Sequence, residues 1–247
     1  MTIVVGVLCS DGVVIGTDSA ATFSHGQFRT VEQTTDKLYV HGQVIVAGTG
    51  QIGLGQRFCE VVRAAWDEKK FSGSPMAIAK HLSKGCRADF AETSAPMSQY
   101  GALVAFPSAQ KAYLCEFQVT DFQPELKDER IWYVSLGSAQ PITDPFLALM
   151  REVFWHEGRP RVEDAIFVVT WAIEHAIRVN PGGVNGPTRI ATLEAGKKSQ
   201  LQARLLEDEE IDMHRQNVDE AIKHLRAFRD LHRQLGPEIP DVPQVPG

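Results

Sequence analysis

Residues 1–22 read MTIVVGVLCSDGVVIGTDSAAT, and this stretch is the strongest indication of the fold class of the chain. Two runs rich in β-branched residues flank Ser10-Asp11-Gly12, a spacing that is typical of a β-hairpin with a tight turn. Thr2 opens the first run, and Asp18 ends the second. The sequence therefore predicts an antiparallel strand pair at the start of the chain.

The rest of the chain up to residue 194 predicts further strands and helices in alternating groups. Strands are expected at 36–42, 43–48, 100–106, 111–119, 131–136 and 188–194, and helices at about 51–70, 75–92, 143–156 and 162–178. We expect the three strands between 100 and 136 to form an antiparallel meander. Groups of strands followed by groups of helices favour an antiparallel α+β fold over a parallel, doubly wound sheet.

The C-terminal part of the chain has a different pattern. Apolar residues and two histidines recur at spacings of three and four between residues 205 and 235, which predicts a long amphipathic helix. This helix either packs on its own domain or meets a neighbouring subunit. Four prolines between 236 and 247 predict an extended tail. The expected division is a domain at 1–196, a helical extension at 197–235 and the tail at 236–247.

Composition and charge exclude several classes of function. The chain has 247 residues, a formal net charge of −6 and no cluster of Lys and Arg, so we expect no nucleic-acid partner. No run of about 18 apolar residues predicts a membrane helix, and we expect a cytoplasmic protein. The four cysteines and eight histidines lack metal-ligand spacing, so we expect neither a metal nor a cofactor.

Residues 48–53, GTGQIG, match the glycine pattern of a dinucleotide-binding loop. Such a loop needs a βαβ unit and an acidic residue at the end of the next strand, about twenty positions further on. Here a second helix is expected instead of a parallel strand, and the nearby Asp67 and Glu68 lie within the helix or at its end. Nucleotide binding is therefore the weaker alternative for this loop.

Thr2 becomes a candidate nucleophile if Met1 is removed, which a small second residue normally permits. A terminal threonine carries a hydroxyl and a free α-amine, and the amine is one of the bases that activate a hydroxyl nucleophile. The ordinary pKa of an α-amine is roughly 7.7–8.0, so it is partly neutral near pH 7. One residue then supplies both the nucleophile and the base. Asp18, Lys37 and Gly48 also stand at predicted strand ends.

With these residues in place, residues 1–22, DKLYV at 36–40, VIVAGTGQIG at 44–53 and SLGSAQPI at 135–142 resemble the catalytic β-subunits of proteasomes and their bacterial relatives. Those proteins are N-terminal nucleophile (Ntn) hydrolases, and the resemblance covers about residues 2–194. The extra C-terminal helix suggests a resemblance to the separate bacterial proteasome homologues, such as those of betaproteobacteria. The resemblance implies a four-layer αββα sandwich with an added long C-terminal helix.

The resemblance also implies roles for five residues. Thr2 matches the nucleophile, Lys37 the lysine whose charge lowers the proton affinity of that residue, and Asp18 the carboxylate that holds this lysine. Gly48 matches the glycine whose N–H stabilises the oxyanion, and Ser138 a serine near the terminal amine. Singly, each has a plain alternative, such as a surface ion pair, a turn glycine or a helix cap.

The same resemblance places four residues around the specificity pocket, namely Ala21, Tyr39, Val46 and Gly50. It implies a preference for an apolar residue before the cleaved bond. One segment departs from the family pattern. Pro181 stands where the family often has a serine that supports the amine, and Val179 or Asn180 stands at the aspartate position.

The implied function is a threonine-type endopeptidase that assembles in stacked rings and cleaves unfolded proteins or peptides, with an ATP-driven unfoldase as a possible partner. Sequestered active sites suit a nonselective peptidase. Two alternatives remain open at this point. One is a ring-forming subunit with little or no peptidase activity, and the other is an amidase that acts on a small metabolite.

Overall fold

The computed structural model of the protein describes residues 2–25, 28–180, 183–196 and 200–235. The strands in these ranges are β1 (Ile3–Leu8), β2 (Gly12–Thr17), β3 (Ala20–His25), β4 (Phe28–Thr34), β5 (Leu38–His41), β6 (Val44–Gly50), β7 (Tyr100–Ser108), β8 (Lys111–Phe117), β9 (Pro124–Leu126), β10 (Tyr133–Gly137), β11 (Arg189–Ala195) and β12 (Leu201–Leu205). The helices are α1 (Ile52–Asp67), α2 (Pro75–Glu92), α3 (Gln140–Phe154), α4 (Val162–Val179) and α5 (Asp208–Leu235).

The strands form three antiparallel sheets, so the predicted antiparallel fold is confirmed. The first sheet has the order β10-β1-β2-β11-β12, the second has the order β5-β6-β7-β8-β9, and β3 pairs with β4. The N-terminal hairpin is present as predicted, with Val4 opposite Thr17 and Leu8 opposite Val13. Strands β3, β4, β9 and β12 were not predicted from the sequence.

One predicted strand pairing was wrong. The strand expected at 131–136 was placed in a meander with the two strands before it, but β10 pairs with β1 in the first sheet. The chain crosses between the sheets just before β10, where the Trp132 carbonyl accepts from the Leu8 N–H at 2.6 Å. Trp132 then packs on Trp155, with ring centroids 5.3 Å apart. A short apolar run predicts a strand but not its partner.

Two hydrophobic clusters hold the elements together. Helices α1 and α2 pack on the second sheet, α3 and α4 pack on the first, and the two sheets contact each other. Successive residues of β7 serve the two clusters in turn: Leu103 packs toward the first sheet and Val104 toward α1 and α2. The sheets come close at Gly6, where a Cβ atom would lie 2.6 Å from Leu103. Strands buried on both faces explain the continuous apolar runs in the sequence.

Helix α5 is divided into two halves by its surroundings. Its first half packs on α4 and buries Ile211, His214 and Val218. Further along the helix, Leu225 and Phe228 are each 61% exposed. The first half therefore confirms the expectation that the helix packs on its own domain, whereas the second half leaves apolar side chains uncovered.

The proline-rich tail at 236–247 lies outside the described residues. Among the helices of the described ranges, none is both long enough and apolar enough to cross a membrane.

Candidate active site

Thr2 lies at the start of β1, beside the end of β10. Its backbone nitrogen lies 3.1 Å from the Ser138 Oγ, and its carbonyl accepts from the Ala139 N–H at 3.4 Å. Gly137 makes this approach possible: its φ is +103°, and a Cβ atom there would lie 2.2 Å from the Thr2 carbonyl oxygen. Glycine adopts such a φ without strain. The structure therefore brings Ser138 next to the Thr2 nitrogen.

Asp18 follows β2 and is fully buried. Its Oδ1 accepts from the Ile3 N–H at 2.9 Å and from the Lys37 Nζ at 2.8 Å. Its Oδ2 accepts from the N–H groups of Ala20 at 3.1 Å and Asn185 at 3.4 Å. A buried carboxylate needs such partners because burial without them is costly. Asp18 thus joins the strand of Thr2, the residue before β5 and the segment before β11.

Lys37 precedes β5 and is held by Asp18, with 9% of its side chain exposed. Burial lowers the pKa of Lys37 below its ordinary value of 10.5, and the negative charge of Asp18 opposes this shift. Burial disfavours the charged form of an amine, whereas a close carboxylate favours it. Lys37 therefore loses its proton at a lower pH than an exposed lysine does.

Gly48 lies near the end of β6, where the backbone comes close to a buried tyrosine. A Cβ atom at Gly48 would lie 2.1 Å from the Tyr100 hydroxyl oxygen, so only glycine fits without a shift of Tyr100. The Gly48 N–H donates to the Lys37 carbonyl at 3.3 Å, which is longer than a typical hydrogen bond. An oxyanion bound here would share this donor with that carbonyl.

Thr2, Lys37 and Gly48 line one cavity of about 90 Å³. Among the four predicted pocket residues, Ala21, Tyr39 and Gly50 also line it. Val46 does not: it is 3% exposed and packs in the cluster beneath α1 and α2. Asp18 and Ser138 lie one contact away, through Lys37 and Thr2 respectively. The volume is well below the roughly 300–1,000 Å³ of pockets for drug-sized ligands.

Several lining residues were not predicted from the sequence: Ala20, Thr22, Thr35, Asp36, Thr49, Gln51, Ile52, Gly55, Gln56 and Tyr100. Most of them are sequence neighbours of predicted site residues, so they could have been predicted from their position in the sequence. Tyr100 is different because it reaches the site through pairing with Gly50 across the second sheet. The sequence carries no local signal for that pairing.

The segment that departs from the family pattern is described only in part. Pro181 lies outside the described residues. Asn180 directly follows α4, and its N–H donates to the Ala176 carbonyl at 2.9 Å. The backbone N–H of Asn185, a few residues later, donates to Asp18 Oδ2 at 3.4 Å. The described ranges contain no group of three or more His, Cys, Asp or Glu side chains that could hold a metal ion.

Comparison with solved structures shows the fold. No protein-family model matches the chain, and no curated protein matches it by sequence. An Anbu mutant designated Gly-1 from Hyphomicrobium sp. strain MC1 has a TM-score of 0.70 and 12% identity, over 92% of this chain and 97% of that one. Anbu (ancestral beta-subunit) from Yersinia bercovieri has a TM-score of 0.67 and 14% identity, over 99% and 98%.

A third structure, the helical assembly of the Anbu complex from Pseudomonas aeruginosa, has a TM-score of 0.68 and 15% identity, over 97% of this chain and 98% of that one. These matches correct the sequence-based recognition. The resemblance to catalytic proteasome β-subunits, and to the betaproteobacterial homologue in particular, was wrong because the matching structures are Anbu proteins. Since α5 also falls within the matched length, the C-terminal helix did not identify the betaproteobacterial group.

We expect Asp18→Ala to lower the free energy of unfolding by about 3–5 kcal/mol, because it leaves the buried Lys37 ammonium without its carboxylate. Urea denaturation of the two proteins measures this difference. Glu220→Ala is the matched control, since it removes the carboxylate of an exposed ion pair with Lys223 and should change stability little. Equal effects of the two substitutions would contradict the structural role given to Asp18.

Proposed function

We propose that the protein is a threonine-type Ntn hydrolase that cleaves peptide bonds, with Thr2 as the nucleophile after removal of Met1. The main support for this proposal is the cavity that Thr2, Lys37 and Gly48 line together. Asp18 accepts a hydrogen bond from the Lys37 ammonium and so fixes its position. Each of the three residue types has a distinct task in acyl transfer. The fold likeness to Anbu structures is consistent with this chemistry but does not establish it.

In the proposed reaction, the α-amine of Thr2 takes the proton of the Thr2 hydroxyl as the oxygen attacks the substrate carbonyl. The tetrahedral intermediate carries a negative oxygen, which the Gly48 N–H stabilises. Collapse breaks the C–N bond, and the leaving amine receives the proton from the α-ammonium. The α-amine then takes a proton from water as the water attacks the acyl ester. The bond between the carbonyl carbon and the threonine oxygen breaks, the carboxylic acid is released, and the α-ammonium returns the proton to the threonine oxygen. Lys37 supplies positive charge during both steps.

We further propose that helices and sheets are stacked as a four-layer αββα sandwich and that the chain self-associates into a ring-like assembly in the cytoplasm. The sandwich is supported by the contacts of α1 and α2 with one sheet, of α3 and α4 with the other, and of the sheets with each other. Self-association is supported by the uncovered apolar side chains of α5. Unfolded proteins or peptides are the proposed substrates, and an ATP-driven unfoldase is a possible partner.

A second candidate function is an assembly subunit with little or no peptidase activity. The observation that favours it is the hydrogen bond from the Gly48 N–H to the Lys37 carbonyl, which occupies the donor intended for the oxyanion. Such a subunit would assemble normally and turn over no peptide.

We expect a β-lactone or epoxyketone inhibitor to add its mass to a mature chain that begins at Thr2, as measured by intact-mass spectrometry. Thr2→Ala should carry no adduct and should lose roughly a thousandfold or more of peptide cleavage, because the nucleophile and its base act as one unit. Thr30→Ala is the matched control, because Thr30 does not line the cavity and its hydroxyl donates to the Phe23 carbonyl in the β3–β4 pair.

Met1 retained on the assembled protein would overturn the proposed mechanism, because a blocked amine cannot act as the base. A free Thr2 on an intact assembly, with neither adduct nor turnover, would favour the second candidate.

We expect kcat/KM to have a bell-shaped dependence on pH. Activity should rise as the α-amine becomes neutral, near the ordinary pKa of such an amine, roughly 7.7–8.0. It should fall as Lys37 loses its charge, at a pH below 10.5 because burial lowers the pKa of this lysine. Lys37→Arg, although slower, should lack that alkaline limb since guanidinium stays protonated. The exposed Lys80→Arg is the control, and an alkaline limb at or above 10.5 in the wild type would contradict the role of Lys37.

We expect Phe228→Glu to shift the protein to smaller species in sedimentation velocity, because it places a charge on the uncovered apolar side of α5. Ala227→Glu is the matched control: it adds the same charge one residue away, about 100° around the helix. If the Phe228→Glu protein keeps the wild-type size, this half of α5 has no role in self-association.

A further inference from the structure

Tyr100 lies beneath the cavity that Thr2 lines, although nothing in the sequence marks it as a site residue. It is the first residue of β7 and is 3% exposed. Its ring is held among phenylalanines, with centroids 5.9 Å from Phe58, 6.3 Å from Phe90 and 6.0 Å from Phe122. Packing on several sides fixes the ring, so the position of its hydroxyl is set by the aromatic cluster.

Two glycines leave the hydroxyl of Tyr100 uncovered on its cavity side. A Cβ atom at Gly48 would lie 2.1 Å from the hydroxyl oxygen, and one at Gly55 would lie 3.6 Å from it. Gly48 comes from β6 and Gly55 from α1, and both line the cavity together with Tyr100 and Thr2. A side chain at Gly48 would displace the ring, and one at Gly55 would touch it. The phenol tip therefore forms part of the cavity wall.

Within the described ranges the Tyr100 hydroxyl makes no hydrogen bond, and it is not one of the fully buried unpaired polar atoms, which is consistent with partial access from the cavity. The buried Thr22 Oγ1, in another residue that lines this cavity, likewise lacks a partner within the described ranges. Buried tyrosine hydroxyls usually find a partner, and an unpaired one is unfavourable. An unpaired hydroxyl that reaches a cavity is satisfied when a ligand or water brings the missing polar group.

We propose that Tyr100 is a specificity-determining residue, whose hydroxyl selects substrates with an uncharged hydrogen-bonding side chain, such as glutamine, before the cleaved bond. This inference rests on the proposed peptidase function and names the substrate class for it. It differs from the apolar preference that the family resemblance implied, because that expectation did not include Tyr100.

The chemistry of the cavity floor favours an uncharged polar group over a charged one. Burial raises the pKa of Tyr100 well above its ordinary value of 10.0, so the phenol stays protonated and both donates and accepts. Asp36 lines the cavity and is exposed. The charge of Lys37, which also lines the cavity, is already paired with Asp18. A further charged side chain at the floor would be desolvated beside a neutral phenol, which is costly. An amide makes use of both properties of the hydroxyl.

The first test compares peptide substrates that differ only in having glutamine or methionine before the cleaved bond. These side chains have similar lengths, but only glutamine carries an amide. We expect the wild type to show at least a tenfold higher kcat/KM for the glutamine peptide, and Tyr100→Phe to reduce this ratio to about one. Tyr113→Phe is the matched control, because Tyr113 stacks on Phe106 away from the cavity and should keep the wild-type ratio. An equal ratio in the wild type and Tyr100→Phe would overturn the inference.

The second test does not require turnover. Isothermal titration calorimetry in the Thr2→Ala background measures binding of the two product peptides, ending in glutamine or methionine. We expect tighter binding of the glutamine peptide and loss of that difference when Tyr100→Phe is added. Equal binding, or no binding of either peptide, overturns the role of Tyr100. If the wild-type protein binds the glutamine peptide selectively but cleaves no peptide, the proposed peptidase function is wrong. The role of Tyr100 in selectivity is then still supported.

Discussion

The buried carboxylate of Asp18 is the contact on which the candidate site depends. It accepts from the Ile3 N–H beside Thr2, from the Lys37 ammonium and from the Asn185 N–H. These three groups come from distant parts of the chain. A single desolvated charge with four donors thus links the start of β1, the lysine and the segment before β11. Burial of Lys37 itself lowers the pKa of this lysine, and the charge of Asp18 opposes this shift.

Close backbone approach is the second constraint on the site. Gly137 passes beside the Thr2 carbonyl, and Gly48 passes over the Tyr100 hydroxyl, in each case at a distance that excludes a Cβ atom. At Gly48 the result is a small cavity whose floor is an aromatic cluster with one polar tip. Gly48 and Gly50 of the 48–53 pattern therefore serve close packing around the site, whereas a Cβ atom at Gly53 would meet nothing within 4 Å. Helix α1 begins within this pattern, at Ile52.

The comparison with Anbu structures shows that this fold is shared by chains with very different sequences. At 12–15% identity the fold is shared over almost the whole length of each chain. Such a likeness depends on the pattern of buried and exposed positions, which many different side chains satisfy. The site residues must therefore be judged on their own geometry, including the hydrogen bond from the Gly48 N–H to the Lys37 carbonyl.

The sequence by itself determined the local elements of this protein. The first hairpin, α1, α2 and α4 lie close to their predicted positions, because short-range periodicity, turn residues and the proline at the start of α2 decide them. The sequence also identified Thr2 and Lys37 as candidate site residues, since the chemistry of a terminal hydroxyl and a lysine can be argued without a structure.

Only the tertiary structure decided which strands are partners and which side chains meet. The place of β10 beside β1, the strand β12 and the approach of Tyr100 to Gly48 all depend on contacts between distant residues. The Thr2 nitrogen and Ser138 are 136 positions apart, so no local pattern sets their distance of 3.1 Å. Strand pairing of this kind is chosen by the packing of the whole core, because a given apolar run fits more than one neighbour.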